Sequence, residues 1–462
     1  MKHRGRHRRR GRGRALRATL TGAALALTAA ATMISVSQAE VGDDHGGLKP
    51  LTASAETERL RLTEHRVPGR WLRRLAASMG DPVDVGAVLD SADRSLRTSA
   101  DCADEEREAL PVAPAATRSY CWSESDTRGW SPGAVTTSGD ADDDGHWGAD
   151  RVILSAWSSE DEGAGRGLAR ISFVNAGSEA GSAQRSAAGT GLGSTATSAS
   201  ASAPDDGPLP YSSALLAVPV DGGRDYRALS SPVSGMVWYQ DKVLVTTAAG
   251  DRNALYVYDL DRIQRTTDDG DAVGRVPGGW SAHGHPFVLP AVATYELPDT
   301  PGAARPEALS LDRQTAPDSL VASESVPADE DRSTRLWRYA FSTDPDRTGL
   351  VATDGTGRVE AQEAYETRAK GVRGVLSYRP AGAVRPDWYL SGTVAAPDER
   401  GTLWRQETDG ARATECGADR SHHCWSGQAG SLSYWPATGE VWSQTGRTLF
   451  ATPLTSVDDS LG

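Results

Sequence analysis

The sequence predicts an all-β fold, and more specifically a β-propeller of about five blades that follows a short helical prefix. The clearest unit is Ser234–Ile263, in which three short strands follow one another: Met236–Tyr239, Val243–Thr247 and Leu255–Leu260. Apolar, β-branched and aromatic residues dominate these strands, and a tip rich in Gly, Asp and Asn separates the second from the third. This is the pattern of an antiparallel meander, and versions of it recur along the chain.

Two features repeat from unit to unit. An apolar strand follows a glycine in four units and begins with alanine in the third, at Gly133, Gly235, Ala308, Gly374 and Gly430. Glycine in these places suits strands whose backbones converge on a central axis. The next strands also match, as VILSAW, VLVTTA, LVASES, WYLSGT and VWSQTG. The alternative fold is a β-sandwich or two small β domains.

We expect the propeller to cover residues 117–456, with the third unit beginning at Phe287. Residues 176–208 are rich in Ala, Ser, Gly and Thr, and we interpret them as a flexible insert within the first blade. A closed ring also requires the C-terminal strands, Val441–Pro453, to pack beside the first unit, because an open ring would leave two apolar faces in water.

The first 39 residues have the pattern of a secretory signal peptide. Nine Lys and Arg residues between Lys2 and Arg17 precede the uncharged segment Ala18–Val36, and Ser37–Ala39 supplies small residues for a cleavage site. A retained membrane anchor is the alternative. After cleavage we expect a secreted protein with no stable membrane span, in which residues 40–116 form a partly disordered and helical prefix.

The charge of the chain argues against anionic partners. The full sequence has 49 basic and 62 acidic residues, and loss of residues 1–39, which contain nine basic and no acidic residues, leaves a formal charge of −22. A protein this acidic is repelled by nucleic acid and by anionic membranes. We therefore expect no nucleic-acid partner, and we interpret the acidity as that of a soluble exported surface, with an acidic binding tail as the alternative.

The four cysteines are Cys102, Cys121, Cys416 and Cys424. An even number of cysteines in an exported chain favours disulfides. We expect the local pairing, Cys102 with Cys121 and Cys416 with Cys424, among the three that are possible. The alternative at the second pair is a zinc site that also uses His422 and His423, although this spacing fits no standard zinc finger.

One acidic motif has the spacing of a calcium loop. Asp140, Asp142 and Asp144 alternate along the chain and Gly145 follows them, as in the sequence D-x-D-x-D-G. Three carboxylates at alternate positions can converge on one hard cation, and the glycine permits a sharp turn. The closing Glu of a helical calcium-binding hand is missing, so an acidic hairpin tip is the alternative to calcium as a cofactor.

Signatures of catalysis are weak. Neither an S-x-x-K nor an H-E-x-x-H motif occurs. His283 and His285 lie in a loop with Gly and Trp, where packed or solvated histidines are expected. Three polar residues lie nearest the expected starts of the inner strands: Glu296, Glu307 and Arg373. We assign no roles to them. The sequence leaves the question of an enzyme undecided and favours a non-catalytic protein.

Three segments carry a resemblance to a known group of proteins: Tyr120–Trp157, Ser234–Ile263 and Gly430–Leu454. They resemble segments of uncharacterised exported β-propeller-like proteins of high-GC Gram-positive bacteria, over roughly residues 117–456. The resemblance implies secretion and a propeller-like body, and it carries no activity. The second segment usually starts with a His-Ala-Gly-Gly type of sequence in that group, so any site that depends on this His is missing here.

Two functions remain in competition. The first is an exported, monomeric and non-catalytic propeller that binds an extracellular or envelope ligand, such as a glycan or a peptide, through its axial face. The second is a calcium-dependent propeller hydrolase or lactonase. Three or more carboxylates around one point of the inner channel would favour the enzyme, whereas a channel filled by apolar side chains would favour the binding protein.

We predict that export is accompanied by cleavage after Ala39, because basic, uncharged and small-residue regions follow one another in the order that signal peptidase requires. Protein sequencing of material from the culture medium should find Glu40 at the N-terminus. A membrane-retained protein that still begins at residue 1 or 2 would contradict this prediction.

Overall fold

The computed structural model describes residues 46–161, 165–178, 207–248, 250–393 and 399–462. The predicted signal peptide lies outside the described residues, and so does most of the predicted insert, residues 179–206. Among the helices that are described, none has the length and apolar character needed to cross a membrane.

The N-terminal segment combines short helices with short strands. Its helices are α1 (Ser54–Glu58), α2 (Gly69–Met79), α3 (Val85–Asp90) and α4 (Asp104–Glu108). Its strands are β1 (Lys49–Pro50), β2 (Leu62–Arg66), β3 (Arg94–Ser95), β4 (Arg97–Thr98) and β5 (Arg118–Cys121). These strands do not form a sheet of their own: β1, β2, β3 and β5 pair with strands of the sheets described next, and β4 pairs with β5.

Meander 1 consists of β6 (Trp130–Thr137), β7 (Asp150–Ser159), β8 (Ala169–Ser178) and β9 (Pro210–Val220), paired antiparallel in that order. Helix α5 (Glu124–Thr127) precedes β6, α6 (Ser138–Ala141) follows it, and β10 (Asp225–Ala228) pairs with β9. The central part of β7 is buried on both faces. Burial on both faces is expected where sheets stack face to face, and it explains the near-continuous apolar run in this strand.

Meander 2 consists of β11 (Met236–Tyr239), β12 (Lys242–Thr246), β13 (Asn253–Asp259) and β17 (Phe287–Glu296). Three short strands lie between β13 and β17: β14 (Gln264–Arg265), β15 (Val273–Val276) and β16 (Gly279–Ala282). The expectation that a third unit begins at Phe287 is wrong. The second half of β17 pairs with β13, while its first half pairs in parallel with β9, so this long strand belongs to meander 2 and joins it to meander 1.

The remaining strands form three further meanders. Meander 3 contains β18 (Ala308–Asp312), β19 (Ser319–Ser323), β20 (Thr334–Ala340) and β22 (Glu363–Thr367), and β21 (Arg358–Val359) pairs with β2. Meander 4 contains β23 (Val372–Tyr378), β24 (Asp387–Gly392), β25 (Thr402–Glu407) and β26 (Gly410–Ala413). Meander 5 contains β27 (Ser433–Trp435), β28 (Glu440–Thr445) and β29 (Thr448–Pro453), and α7 (Leu454–Asp459) follows.

Buried apolar clusters connect consecutive meanders into a closed ring. One cluster lies between each pair of neighbours. The cluster between meanders 1 and 2 contains Leu154 and Trp238, and the cluster between meanders 2 and 3 contains Val257 and Trp337. Further clusters join meander 3 to 4 and meander 4 to 5. The last cluster joins Trp442 of meander 5 to Trp157 of meander 1, as expected for a C-terminal unit that packs beside the first.

The inner strands meet closely at the glycines that the repeat pattern had singled out. A Cβ atom added at Gly235 would lie 2.7 Å from the carbonyl oxygen of Glu307, and one at Gly374 would lie 2.6 Å from that of Gly430. A Cβ atom at Gly430 would lie 2.9 Å from the carbonyl oxygen of Gly133. These positions therefore need glycine because the backbone of the next meander occupies the space of a side chain.

The N-terminal segment completes the ring. Strand β5 pairs antiparallel with β29 and becomes an outer strand of meander 5, and β4 pairs with β5 in turn. The last meander thus combines strands from both ends of the described chain, which protects a sheet edge that would otherwise be open. Strand β1 extends meander 3 in the same way.

The prediction of an all-β propeller is confirmed. The strands of the described residues fall into five meanders. Because β17 joins meanders 1 and 2 into one 13-stranded sheet, counting sheets and counting meanders give different totals. The blade count of about five therefore stays a prediction.

We predict that Gly133→Ala destabilises the protein by about 3 kcal/mol, because the added Cβ atom would overlap the carbonyl oxygen of Val233. The matched control is Gly355→Ala, where an added Cβ atom has no neighbour within 4 Å. Urea unfolding of both variants, lacking residues 1–39, measures the difference. Equal unfolding midpoints for the two variants would show that the close approach of the strands at Gly133 does not constrain the fold.

Candidate functional site

Asp140, the first residue of the predicted calcium motif, is buried at the end of β6. Its carboxylate oxygen Oδ2 accepts hydrogen bonds from Thr136 Oγ1 and from Ser433 Oγ, each at 2.7 Å. Thr136 Oγ1 in turn accepts from the backbone N–H of Trp238 at 3.0 Å. The guanidinium group of Arg313 donates to the carbonyl oxygen of Asp140. Asp140 therefore connects four meanders.

Burial raises the pKa of Asp140 to about 6, while the hydrogen bonds from Thr136 and Ser433 and the charge of Arg313 act in the opposite direction. Burial disfavours the charged form of a carboxyl group, so its protonated form is the one that is more easily buried. Ionisation of Asp140 near neutral pH therefore costs folding free energy, which its polar partners only partly offset.

The structure places the other two acids of the motif in solvent. Asp142 and Asp144 are exposed, and their side chains bond to the neighbouring backbone: Asp142 Oδ1 accepts from the N–H of Asp143 at 2.7 Å, and Asp144 Oδ1 from that of His146 at 2.8 Å. Among the described residues the three acids do not form a group with ligand atoms within 4.8 Å of one another. Calcium binding by this motif stays a prediction.

A different cluster of three carboxylates lies near the turn between β11 and β12 of meander 2. Ligand atoms of Asp241, Asp259 and Asp261 lie within 4.8 Å of one another. The ammonium group of Lys242 already sits among them, 2.6 Å from Asp241 Oδ2 and 3.5 Å from Asp259 Oδ2. The internal cation of Lys242 therefore balances part of the charge of this group.

The cysteines adopt the local pairing that was expected. Disulfides join Cys102 to Cys121 and Cys416 to Cys424. The first links the loop before α4 to β5, and so fastens the segment that completes meander 5. Because Cys416 and Cys424 are bonded to each other, they do not present the thiolates that the alternative zinc site needs.

A second buried polar group lies where β18 and β23 run beside each other. The Asp312 carboxylate accepts from Arg338 Nη1 at 2.8 Å and from Ser377 Oγ at 2.9 Å. Arg338 also donates to Ser377 and lies 2.8 Å from the carboxylate of Glu363. With these partners Asp312 serves to connect meanders 3 and 4.

The end of the ring where the inner strands begin, which we call the strand-start face, holds Glu307 and Arg373. Burial raises the pKa of Glu307, and the charges of Arg373 and Arg305 act in the opposite direction. Two of the three unassigned polar residues therefore lie near enough for the charge of Arg373 to act on Glu307. The third, Glu296, lies at the outer end of β17 and pairs with His65 and Arg252.

A groove of about 460 Å³ opens on the strand-start face between meanders 5 and 1. Its lining comes from α4, from the start of β6, from the end of β7 and from the turn between β28 and β29. The side chains that line it include those of Trp130, Trp157, Ser131, Glu160, Gln428 and Arg447. Aromatic surface combined with a few polar groups is typical of ligand sites, so this groove is the main candidate site.

Sequence reasoning missed a motif in this groove. Residues Gly129–Gly133 have the spacing G-x-S-x-G, with Ser131 at its centre. A nucleophile elbow requires a strand before the serine and a helix after it, whereas Ser131 lies at the start of strand β6 and its hydroxyl donates to Glu160. The groove serine therefore lacks the setting of a hydrolase nucleophile.

The histidine that contacts Trp130 of the groove is also unsuited to catalysis. His285 is buried, and its ring makes an edge contact with Trp130 at 5.7 Å between ring centroids. Burial, together with the positive charges of Arg170 and Arg94, lowers its pKa to about 3. His285 is therefore neutral near pH 7 and acts as a packed residue, as the sequence favoured.

Comparison with known proteins identifies no family. No protein-family model and no curated protein sequence matches the chain. Among solved structures, it is similar to Drosophila Semaphorin 1b, extracellular domains 1-2, with a TM-score of 0.27 and 8% identity over 75% of this chain and 88% of that chain. Drosophila Plexin A in complex with Semaphorin 1b matches with a TM-score of 0.24 and 7% identity over 66% and 71%. Similarities at this level support neither a family nor a function.

We predict that Asp140→Asn removes a component of the pH dependence of stability. The raised pKa means that the folded protein binds more protons than the unfolded chain between about pH 4 and 6, so unfolding free energy falls as pH rises through this range. The wild type should lose about 2 kcal/mol across this window relative to the variant.

Denaturant unfolding at a series of pH values measures this difference. Asp142→Asn is the matched control, because Asp142 is exposed and the variant should keep the wild-type pH profile. Asp387, whose pKa is also raised to about 6 by burial and by Glu407 and Asp458, contributes equally to all three proteins and cancels. Parallel profiles for Asp140→Asn and wild type would contradict the assignment.

Proposed function

We propose that this protein is a secreted, monomeric, non-catalytic propeller that binds an extracellular or cell-envelope ligand on its strand-start face. The observation that carries the proposal is the groove between meanders 5 and 1, about 460 Å³ in volume and lined by both indole and polar side chains. A volume of this size accommodates part of an oligomeric ligand or a small molecule.

The polar groups around the inner strands favour binding over hydrolysis. A calcium-dependent hydrolase or lactonase needs carboxylates that converge on the channel. Here the buried carboxylate of Asp140 is taken up by Thr136 and Ser433, and that of Asp312 by Arg338 and Ser377. Both acids are committed to connections between meanders.

The proposal of secretion is supported by the two disulfides, since disulfides persist in oxidising compartments. The predicted signal peptide points the same way. The acidity expected after cleavage suits a dissolved exported protein and directs the search for a ligand away from polyanions.

We predict that the protein lacking residues 1–39 co-sediments saturably with isolated cell walls of a high-GC Gram-positive bacterium. Gln428→Trp should reduce bound protein about tenfold, because a bulky side chain at this exposed lining position fills the groove.

Val384→Trp is the matched control for co-sedimentation. It places the same bulky side chain at a position that is 92% exposed and does not line the groove, so binding should stay at the wild-type level. Absence of saturable binding, or equal loss in both variants, would overturn the proposed function.

A further inference from the structure

We propose that the groove between meanders 5 and 1 is a binding site for a neutral glycan chain. This inference rests on the proposed function and adds the chemical class of the ligand. Its grounds are the fixed indole of Trp130, the exposed carboxylates and amide group of the lining, and the charge of the surrounding protein.

Trp130 offers a rigid aromatic surface. It is half-buried at the start of β6, and the guanidinium group of Arg170 lies 4.2 Å from the centroid of its ring. His285 packs edge-on against the same ring. Because these contacts already restrict its rotamer, Trp130 loses little side-chain entropy when a ligand packs against its remaining surface. A pyranose ring, with its face of C–H groups, suits such an indole.

The rest of the lining suits hydroxyl groups. Of the uncharged polar residues in the lining, Gln428 is exposed, whereas the hydroxyls of Ser131 and Thr448 already donate hydrogen bonds within the protein. The carboxylates of Glu105 and Glu160 also line the groove and can accept hydrogen bonds from ligand hydroxyls. A chain of sugar units presents many hydroxyls at close spacing, which the exposed carboxylates of Glu105 and Glu160 and the amide of Gln428 can bind.

Charge limits the glycan to a neutral one. The cation of the lining, Arg447, is engaged by Glu106 at 3.1 Å and by Glu124 at 3.8 Å. The groove therefore has more acidic than available basic groups, and the chain without residues 1–39 has a formal charge of −22. A polyanionic glycan would be repelled.

A peptide is less well suited, because the strands beside the groove offer no open edge. Strand β28 pairs on both sides, with β27 and β29, and β29 pairs with β28 and β5. On the inner edge of β6, the N–H of Val135 donates to Ser431 Oγ and its carbonyl oxygen accepts from the same hydroxyl. Recognition by strand addition therefore has no place to occur.

Isothermal titration of the protein lacking residues 1–39 tests the inference. The probes are hexasaccharides of glucose, mannose and N-acetylglucosamine, with a hexagalacturonate as the anionic comparison. At least one neutral hexasaccharide should bind, and Trp130→Ala should weaken it about tenfold or more. Gln428→Ala, an exposed position, should weaken binding about threefold without a risk to folding.

Trp71→Ala is the matched control, because Trp71 is also half-buried but lies in α2 and does not line the groove. It should bind as the wild type does. The inference is overturned if the neutral probes do not bind, if only the anionic probe binds, or if both groove variants keep wild-type affinity.

Co-sedimentation with cell walls separates failure of this inference from failure of the proposed function. One outcome is that the glycans do not bind, whereas untreated walls bind the protein and protease-treated walls do not. In that case the ligand is a protein and the proposed function stands. If binding to the walls also fails, both are wrong.

Discussion

The close approach of the inner strands is the constraint on which this structure depends. At Gly235, Gly374 and Gly430 the backbone of the next meander lies where a side chain would begin. Polar groups that are buried where neighbouring strands approach this closely must find partners within the protein. The hydrogen bonds that Asp140 and Asp312 make across meanders follow from this crowding. The groove that we propose as the binding site lies at the seam between meanders 5 and 1.

The seam between meanders 5 and 1 differs from the others because it also closes the ring. Strand β5 returns from the N-terminal segment to pair with β29, and the disulfide between Cys102 and Cys121 fastens it. Beside it, burial alone would raise the pKa of Glu106, but the N–H of Ala103 and the charges of Arg97 and Arg447 lower it overall. Glu106 and Arg447 both line the groove, so the elements that close the fold also shape the candidate binding site.

The acidic motif at the end of β6 illustrates how one spacing can serve two purposes. In the sequence, alternate aspartates suggest three equivalent ligands for a cation. In the fold, α6 turns the chain so that Asp140 points into the protein and Asp142 and Asp144 point to solvent. Serine and threonine hydroxyls from other meanders occupy the hydrogen-bonding sites of Asp140 that the motif alone would assign to a metal.

The sequence by itself determined the fold class, the local disulfides and the positions of the inner strands. These features depend on short-range patterns: strand alternation, cysteine spacing and a glycine before each apolar strand. Tertiary structure decided the rest. Strand β17 joined meander 2 because one long strand can pair with β13 and β9 along different halves, and β5 joined meander 5 by pairing across more than 300 residues. The groove was not predictable, because its walls come from α4, β6 and β29, which only ring closure brings together.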